Sequence, residues 1–145
     1  MPGPVNAALV VAGCLSAIAA TLHLAIIVKG AAWYRFFGAG ERMARAAEKG
    51  RWTPALVTAG IALMLAAWSA YAFSGAGILG PAPLLRPALC AITLVYLLRG
   101  LVLIPVLVLP RQPGTTFGIW SSSICLVFAA AHLIGVVQRW DALQA

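Results

Sequence analysis

Four long apolar stretches constrain the fold of this chain more than any other feature of its sequence. Each is long enough to cross a membrane, because an α-helix needs roughly 20 mostly apolar residues to span the hydrocarbon core. Apolar and polar residues do not alternate within them, which disfavours a transmembrane barrel. A helix also satisfies its own backbone hydrogen bonds, as lipid demands. The sequence therefore predicts an all-α bundle of four transmembrane helices, with spans at residues 6–28, 53–73, 87–109 and 117–138.

The composition supports a lipid environment for these stretches. Of the 145 residues, 63% are hydrophobic and 9% are charged, whereas a soluble domain is usually about half apolar and about a quarter charged. The length suits one integral membrane domain over residues 1–145. No Lys or Arg precedes Lys29, so the first span lacks the positive region of a secretory signal and is expected to be retained.

The positions of the basic residues predict an orientation. The net charge is +7, and six of the ten basic residues stand between the first two spans. Arg111 lies between spans three and four, so the positive-inside rule puts loops one and three in the cytoplasm and both termini outside. We expect a multi-pass protein of the bacterial cytoplasmic (inner) membrane. The charge then serves orientation and attraction to anionic membrane lipids, and no nucleic-acid-binding motif accompanies it.

The first loop, residues 30–52, carries the aromatic side chains that suit the level of the lipid headgroups. Gly38 and Gly40 are expected to break the backbone. A short helix is predicted from Glu41 to about Lys49, supported by Glu41 and Arg45 one turn apart. We expect this helix to lie on the cytoplasmic membrane surface.

The other two loops are shorter or richer in turn-forming residues. The second, residues 74–87, contains several Gly and Pro residues and is predicted to form a compact outer turn. The third, residues 110–114, is long enough only for a tight turn. Pro105 lies inside span three, where it should kink the helix and free a carbonyl one turn earlier.

Arg99 is the most informative single residue, because it lies near the middle of span three. A charge at that depth costs at least about 2.5 kcal/mol. The only acidic residues are Glu41, Glu48 and Asp141, and none lies in a span. Arg99 must therefore find an acid from the first loop, a carbonyl, a lipid phosphate or an anionic ligand. The alternative is a structural arginine that snorkels or caps the carbonyl freed by Pro105.

His23 and His132 are the only histidines, and both lie in spans. Their depths differ by roughly 15 Å along the membrane normal at 1.5 Å per residue, which disfavours a haem held by both. No other residues stand at metal-ligand spacing. Cys14, Cys90 and Cys125 are scattered through the spans, which argues against disulfides and favours small buried side chains.

Several polar residues fall at similar depth near the cytoplasmic side. His23 is about level with the first loop, and Tyr96 lies one turn from Arg99 on the same helix face. These residues are candidates for one polar pocket, together with Glu41 and Arg45. The alternative is a structural network that ties the surface helix to the bundle.

Three segments, AWYRFFGAGERMA, TPALVTAGIA and LVYLLRG, resemble a group of small uncharacterised bacterial membrane proteins. The length, the four spans and the basic first loop are also similar to the MAPEG superfamily of membrane-associated eicosanoid and glutathione proteins. The segment Glu41-Arg42-Met43-Ala44-Arg45-Ala46 before Pro54 resembles that family's Glu-Arg-x-x-Arg-Ala pattern, although its Asn and Glu before the proline are absent here. The family also has a Tyr and an Arg in span three, as do Tyr96 and Arg99.

The MAPEG resemblance implies a homotrimer that binds glutathione between subunits. It would give contacts with glutathione to Arg42, Arg45, Tyr96 and Arg99, and the span-three arginine would stabilise the thiolate.

Three functions stay open at this point. The first is a binding or accessory bundle that holds a lipid or small anionic ligand, with candidate residues Arg99, Tyr96, His23, Glu41, Arg45 and Arg42. The second is a glutathione-dependent membrane enzyme of the MAPEG kind. The third is a small transporter or channel that works as a homo-oligomer. No nucleophile with an oriented base, phosphate loop or pair of carboxylates appears in the sequence.

Overall fold

A computed structural model describes residues 4–108 and 115–144, and within them the fold is all-α, without strands. In chain order the helices are α1 (Ala7–Lys29), α2 (Ala31–Phe36), α3 (Glu41–Glu48), α4 (Thr53–Ala76), α5 (Leu85–Leu101), α6 (Leu103–Val108) and α7 (Thr115–Gln138), followed by a 3₁₀ turn (Ala142–Gln144).

Four helical segments are long and apolar enough to cross a membrane, which confirms the predicted fold class. They are α1, α4, the stretch formed by α5 and α6, and α7, with 23 or 24 residues each. At most 33% of each apolar window is buried inside the protein. The remaining apolar surface would be unfavourable in water and suits contact with lipid.

The described residues group into two compact units. Unit 1 comes from residues 4–16, 67–108 and 115–144, and unit 2 from residues 17–66. The single domain expected over residues 1–145 stays a prediction.

Unit 1 contains parts of all four long helices, and Tyr96 of α5 lies where they meet. Its hydroxyl is 3.0 Å from the hydroxyl of Ser16 on α1. Its ring packs edge-on against Trp68 of α4 and Phe128 of α7, with centroids 5.0 and 5.2 Å away. Edge-to-face pairs of this kind add about 0.5–1.5 kcal/mol beyond the burial of apolar area.

Close helix contacts in unit 1 occur at glycine. A Cβ atom at Gly100 of α5 would lie 2.6 Å from the side chain of Leu126 and 3.1 Å from its backbone nitrogen. Glycine therefore allows α5 and α7 to approach at this point, as small residues commonly do in membranes.

The connection between α4 and α5 is compact, as the sequence predicts. The Ser74 hydroxyl donates to the Gly80 carbonyl at 2.7 Å and accepts from the Ala82 N–H at 3.0 Å. The Tyr71 hydroxyl donates to the Pro83 carbonyl at 3.3 Å. These bonds satisfy polar groups of the turn within the turn itself.

Unit 2 is built around a small cluster between the end of α1, α2 and α3. Ile26, Tyr34 and Ala44 are buried there, while the Thr58 hydroxyl of α4 donates to the Pro54 carbonyl and lies 3.2 Å from the Tyr34 hydroxyl. The predicted short helix is present as α3. The helix α2 was not predicted, because only its aromatic character stood out.

The third span is interrupted. Helix α5 ends at Leu101 and α6 begins at Leu103. Pro105 lacks an N–H, so it cannot bond the carbonyl of Leu101 one turn earlier. The end of the predicted span, residue 109, and the predicted tight turn at residues 110–114 lie outside the described residues.

The three cysteines are free, and their surroundings differ from the expected burial. Cys14 is exposed, while Cys90 and Cys125 are half-buried. The surface of a span faces lipid, so a small apolar thiol needs no protein cover there.

Candidate functional site

A double ion pair clasps helix α3 of unit 2. Arg35 of α2 donates from Nε and Nη2 to the two carboxylate oxygens of Glu41, at 2.9 and 3.0 Å. Its Nη1 donates to Glu48 at 2.7 Å. Glu41 and Glu48 are the first and last residues of α3, so one guanidinium holds both ends of the helix.

Arg45 completes this network, donating from Nε to Glu41 at 3.1 Å within α3. The hydrogen bonds from Arg35, and then from Arg45, lower the pKa of Glu41 to about 2. The hydrogen bonds of Arg35 to Glu41 first, and then to Glu48, raise the pKa of Arg35 above its ordinary value. These side chains are 41–68% exposed, so the pairs orient the helix more than they stabilise it.

The apolar side of α3 explains why the polar side faces outward. Ala44 is fully buried, and Met43 and Ala47 pack against the cluster around Tyr34. Residues three and four apart share one face of a helix, so burying these residues turns Arg42, Arg45 and Lys49 away from the core. Gly40 precedes the helix with φ +90°, a conformation that is costly for other residues.

An open cleft of about 560 Å³ lies against this polar side. Four cations and one carboxylate line it, together with Met43, Ala46 and Thr53; the charged residues are Glu41, Arg42, Arg45, Lys49 and Arg51. The carboxylate is already paired with Arg35 and Arg45. Arg42, Lys49 and Arg51 form no ion pair within residues 4–108 and 115–144. The cleft therefore presents unneutralised positive charge.

A second cleft of about 250 Å³ adjoins the first, because Arg51 lines both. Apart from Arg51 its lining is apolar or aromatic: Ile27, Gly30, Tyr34, Ala47, Gly50, Trp52, Pro54 and Ala55. Trp52 is 80% exposed, and a tryptophan half in water and half in hydrocarbon is typical of membrane interfaces. A cationic surface and an apolar surface are thus joined at one arginine.

In unit 1, Arg99 is exposed, and its hydrogen-bond partners among the described residues are two neutral serines. Its Nη1 donates to the Ser122 hydroxyl at 3.1 Å and its Nη2 to the Ser121 hydroxyl at 3.0 Å. No carboxylate pairs with it in the part of the chain that the structure describes. The guanidinium has five N–H donors, so these two bonds leave capacity for a further acceptor.

His132 of α7 is fully buried. Its Nδ1 is 2.9 Å from the Phe128 carbonyl, which can only accept, so Nδ1 carries the proton. Nε2 has no hydrogen-bond partner among the described residues. The ring centroid is 5.2 Å from that of Tyr96, which makes this histidine part of the packing of unit 1.

His23 lies in unit 2 and its Nδ1 is 2.7 Å from the Ala19 carbonyl of its own helix. No three His, Cys, Asp or Glu side chains come together as a metal site within the described ranges. The predicted separation of His23 from His132, and with it the depth argument about haem, joins residues of different units and stays a prediction.

The six predicted site residues are divided between the units. Glu41, Arg42 and Arg45 line one cleft of unit 2, and His23 belongs to the same unit. Tyr96 and Arg99 belong to unit 1. A single pocket containing members of both sets stays a prediction.

Sequence reasoning did not single out several residues that complete these sites. Lys49, Arg51 and Thr53 line the basic cleft, and Ser121 and Ser122 bond Arg99. A signal was available for the first set, because the basic residues of the first loop recur at helical spacing. Ser121 and Ser122 belong to the site only because they bond Arg99 on another helix. The spacing of residues in a sequence does not reveal such contacts between helices.

Comparison with known proteins gives no relative for this chain: no family model matches it, nor does any curated protein or solved structure.

Proposed function

We propose that this protein binds an anionic phospholipid, with the phosphate in the basic cleft of the first loop. The observation that carries the proposal is the set of three cations around that cleft, Arg42, Lys49 and Arg51, that have no ion pair among the described residues. Arginine and lysine are the residues that bind phosphate oxygens most strongly in proteins.

The electrostatic arithmetic favours an anionic membrane surface as the source of the phosphate. A Lys or Arg close to an anionic leaflet contributes about 1 kcal/mol to the attraction. Under the proposed orientation the first loop faces the cytoplasmic leaflet of a bacterial inner membrane, and its basic residues point to those lipids. Glu41 does not oppose this attraction strongly, since Arg35 and Arg45 already neutralise it.

The adjoining apolar cleft supports a lipid over a free phosphate. A phospholipid carries its acyl chains a few ångströms from its phosphate, so it can occupy a cationic and an apolar surface that meet at Arg51. Trp52 and Ala55 offer the apolar contact, and burial of each CH₂ group contributes about 0.8 kcal/mol. A soluble phosphate would gain nothing from this surface.

The headgroup contacts are tested by removing two cations. Delipidated protein is mixed with equal amounts of phosphatidylglycerol and phosphatidylcholine, and native mass spectrometry measures the lipid retained. We expect wild type to prefer phosphatidylglycerol and the double variant Arg42→Gln/Lys49→Gln to bind it roughly 30-fold more weakly, from about 1 kcal/mol per cation. The matched control is Lys29→Gln, which removes an exposed cation that lines neither cleft. An equal loss of phosphatidylglycerol affinity in the double variant and in Lys29→Gln would refute the proposal.

A second pair of variants separates a lipid from a soluble phosphate. Ala55→Phe fills the apolar cleft, while Ala59→Phe adds the same bulk one turn later on an exposed position. We expect Ala55→Phe alone to weaken phosphatidylglycerol binding, and neither variant to change binding of glycerol phosphate. If Ala55→Phe and Ala59→Phe bind phosphatidylglycerol with the same affinity, only the headgroup is recognised.

A glutathione-dependent enzyme is the second candidate, and one observation favours it. Arg42 and Arg45, which the MAPEG resemblance gives to glutathione, line the same cleft, and glutathione is also an anion. Glutathione should then raise the melting temperature, and the mass spectrum should report a trimer. If phosphatidylglycerol does not displace bound glutathione, the two ligands do not share the cleft, and this result would separate the two candidates.

A further inference from the structure

The basic cleft does not account for Arg99, which is an exposed cation within a membrane-spanning segment. We propose that Arg99, with Ser121 and Ser122, forms a second anion site that binds the carboxylate of a single-chain amphiphile, such as a long-chain fatty acid. None of these three residues lines either cleft of unit 2.

The geometry of the three side chains suits a carboxylate. The two terminal nitrogens of Arg99 donate to Ser122 and Ser121 at 3.1 and 3.0 Å, which holds the guanidinium against α7. Ser122 is fully buried while Arg99 is exposed, so the fork has one side against the protein and one side open. A planar fork with free donors matches the two oxygens of a carboxylate.

No acidic side chain of this sequence stands in a membrane-spanning helix. The whole sequence has three acidic residues, Glu41, Glu48 and Asp141. All three lie outside the membrane-spanning helices. A second copy of the chain has the same residues, so an oligomer would not supply a carboxylate there either. An unneutralised cation in hydrocarbon is costly, and an anion from another molecule would lower that cost.

The depth of the site separates a fatty acid from a phospholipid. Ser121 and Ser122 stand six and seven residues after the first residue of α7, Thr115. At about 1.5 Å per residue they lie roughly 9–10 Å along the helix from its end. The phosphate of a two-chain lipid is held at the headgroup level by its glycerol backbone, whereas the carboxylate of a single-chain acid is joined directly to its chain and has no such backbone to hold it there.

The surface beside Arg99 offers a path for the chain. Three apolar side chains of this surface are 44–57% exposed: Leu98 of α5, Val102 between α5 and α6, and Ile124 of α7. Close packing at Gly100 leaves no room for a chain between α5 and α7 themselves. The amphiphile would therefore lie along the outer surface of this helix pair, with its headgroup at Arg99 and its chain among exposed apolar residues.

The test compares two probes that differ only in the headgroup. Protein in nanodiscs of phosphatidylcholine is labelled with a photoreactive long-chain fatty acid or with the fatty alcohol of the same length. We expect saturable labelling of α5 or α7 by the acid, competed by unlabelled fatty acid, and at least about 10-fold weaker apparent affinity for the alcohol, as expected when a hydrogen-bonded charge pair is lost. Because this comparison uses wild-type protein, a folding defect cannot explain it.

Variants then assign the effect to Arg99. Arg99→Leu should weaken labelling by the acid at least about 10-fold and leave the alcohol unchanged. The control is Arg86→Leu, the same substitution at an arginine of unit 1 that stacks 4.7 Å from the Trp140 ring, and it should label as wild type does. The proposal is overturned if acid and alcohol label equally, or if Arg99→Leu retains the wild-type affinity for the acid.

Discussion

Replacing Gly100 by alanine tests the closest helix contact of unit 1. An added Cβ would lie 2.6 and 2.7 Å from Cδ2 and Cγ of Leu126 and 3.1 Å from its backbone nitrogen. The first two atoms belong to a side chain that could rotate, but the third is fixed to α7. Relief of the contact therefore requires α5 and α7 to separate, which would also disturb the bonds from Arg99 to the neighbouring serines.

The expected magnitude follows from two opposing effects. Overpacking of a close contact costs about 1–3 kcal/mol, while alanine is favoured over glycine in a helix by up to about 1 kcal/mol. Gly60→Ala is the matched control, because Gly60 is also helical and a Cβ there meets no atom within 4 Å. The helix preference cancels between the two variants, so Gly100→Ala should be less stable than Gly60→Ala by about 1–3 kcal/mol.

The measurement is unfolding in mild detergent micelles titrated with SDS and followed by circular dichroism. The free energies of unfolding of wild type and both variants are compared in one detergent. If Gly100→Ala is as stable as Gly60→Ala, α5 and α7 are not in contact at this point, and the reasoning is refuted.

Three further substitutions test polar contacts of the two units. Glu41→Gln removes a carboxylate whose pKa is lowered to about 2, chiefly by Arg35. Its stabilisation is complete above the ordinary pKa of 4.5 and is lost as pH falls toward 2, so the gap in melting temperature between wild type and variant should close over that range. Tyr96→Phe removes the bond to Ser16 and should lower the free energy of unfolding by about 0.5–1.5 kcal/mol in the SDS titration. Ser69→Ala removes a 2.8 Å bond to a backbone carbonyl of α1 and should have a similar effect.

Each of these predictions has its own contrary outcome. If the difference in melting temperature between wild type and Glu41→Gln does not change with pH, Arg35 and Arg45 do not hold the carboxylate of Glu41. For the two hydroxyl removals the control is Thr21→Ala, since Thr21 is exposed and bonds only a carbonyl of its own helix. Its effect should stay within about 0.5 kcal/mol, and equal losses in all three variants would show that the contacts between helices contribute nothing specific.

The spans were predictable because their signal is local and long. The second and fourth predicted spans share a boundary with helices that run over Thr53–Ala76 and Thr115–Gln138. A run of apolar residues fixes the existence of such a helix wherever its neighbours lie. The helix Ala31–Phe36 escaped prediction because six residues are too few for helical periodicity to be visible. The interruption between Leu101 and Leu103 agrees with the kink predicted from Pro105, because proline lacks the N–H that would bond the carbonyl of Leu101.

The sites were predictable only in part, for a related reason. Three of the predicted residues stand on one short helix: Glu41, Arg42 and Arg45. Their closeness in the sequence was enough to predict that they line one cleft. The partners of Arg99 are on another helix, and nothing in the sequence near Arg99 points to them. Arg35 was counted only as a basic loop residue, yet it holds the ends of α3, because its partners lie six and thirteen residues away.

The position of Arg35 has a consequence for the kinetics of any ligand that enters the basic cleft. A flexible basic loop must lose conformational entropy when an anion orders it, and that loss weakens affinity. Here one guanidinium fixes both the first and the last residue of α3 before a ligand arrives. Association should then be rapid and steered by charge, with little change in helix content. Lysine at position 35 keeps the charge but not the fork, so it should leave long-range attraction intact while slowing the formation of the final complex.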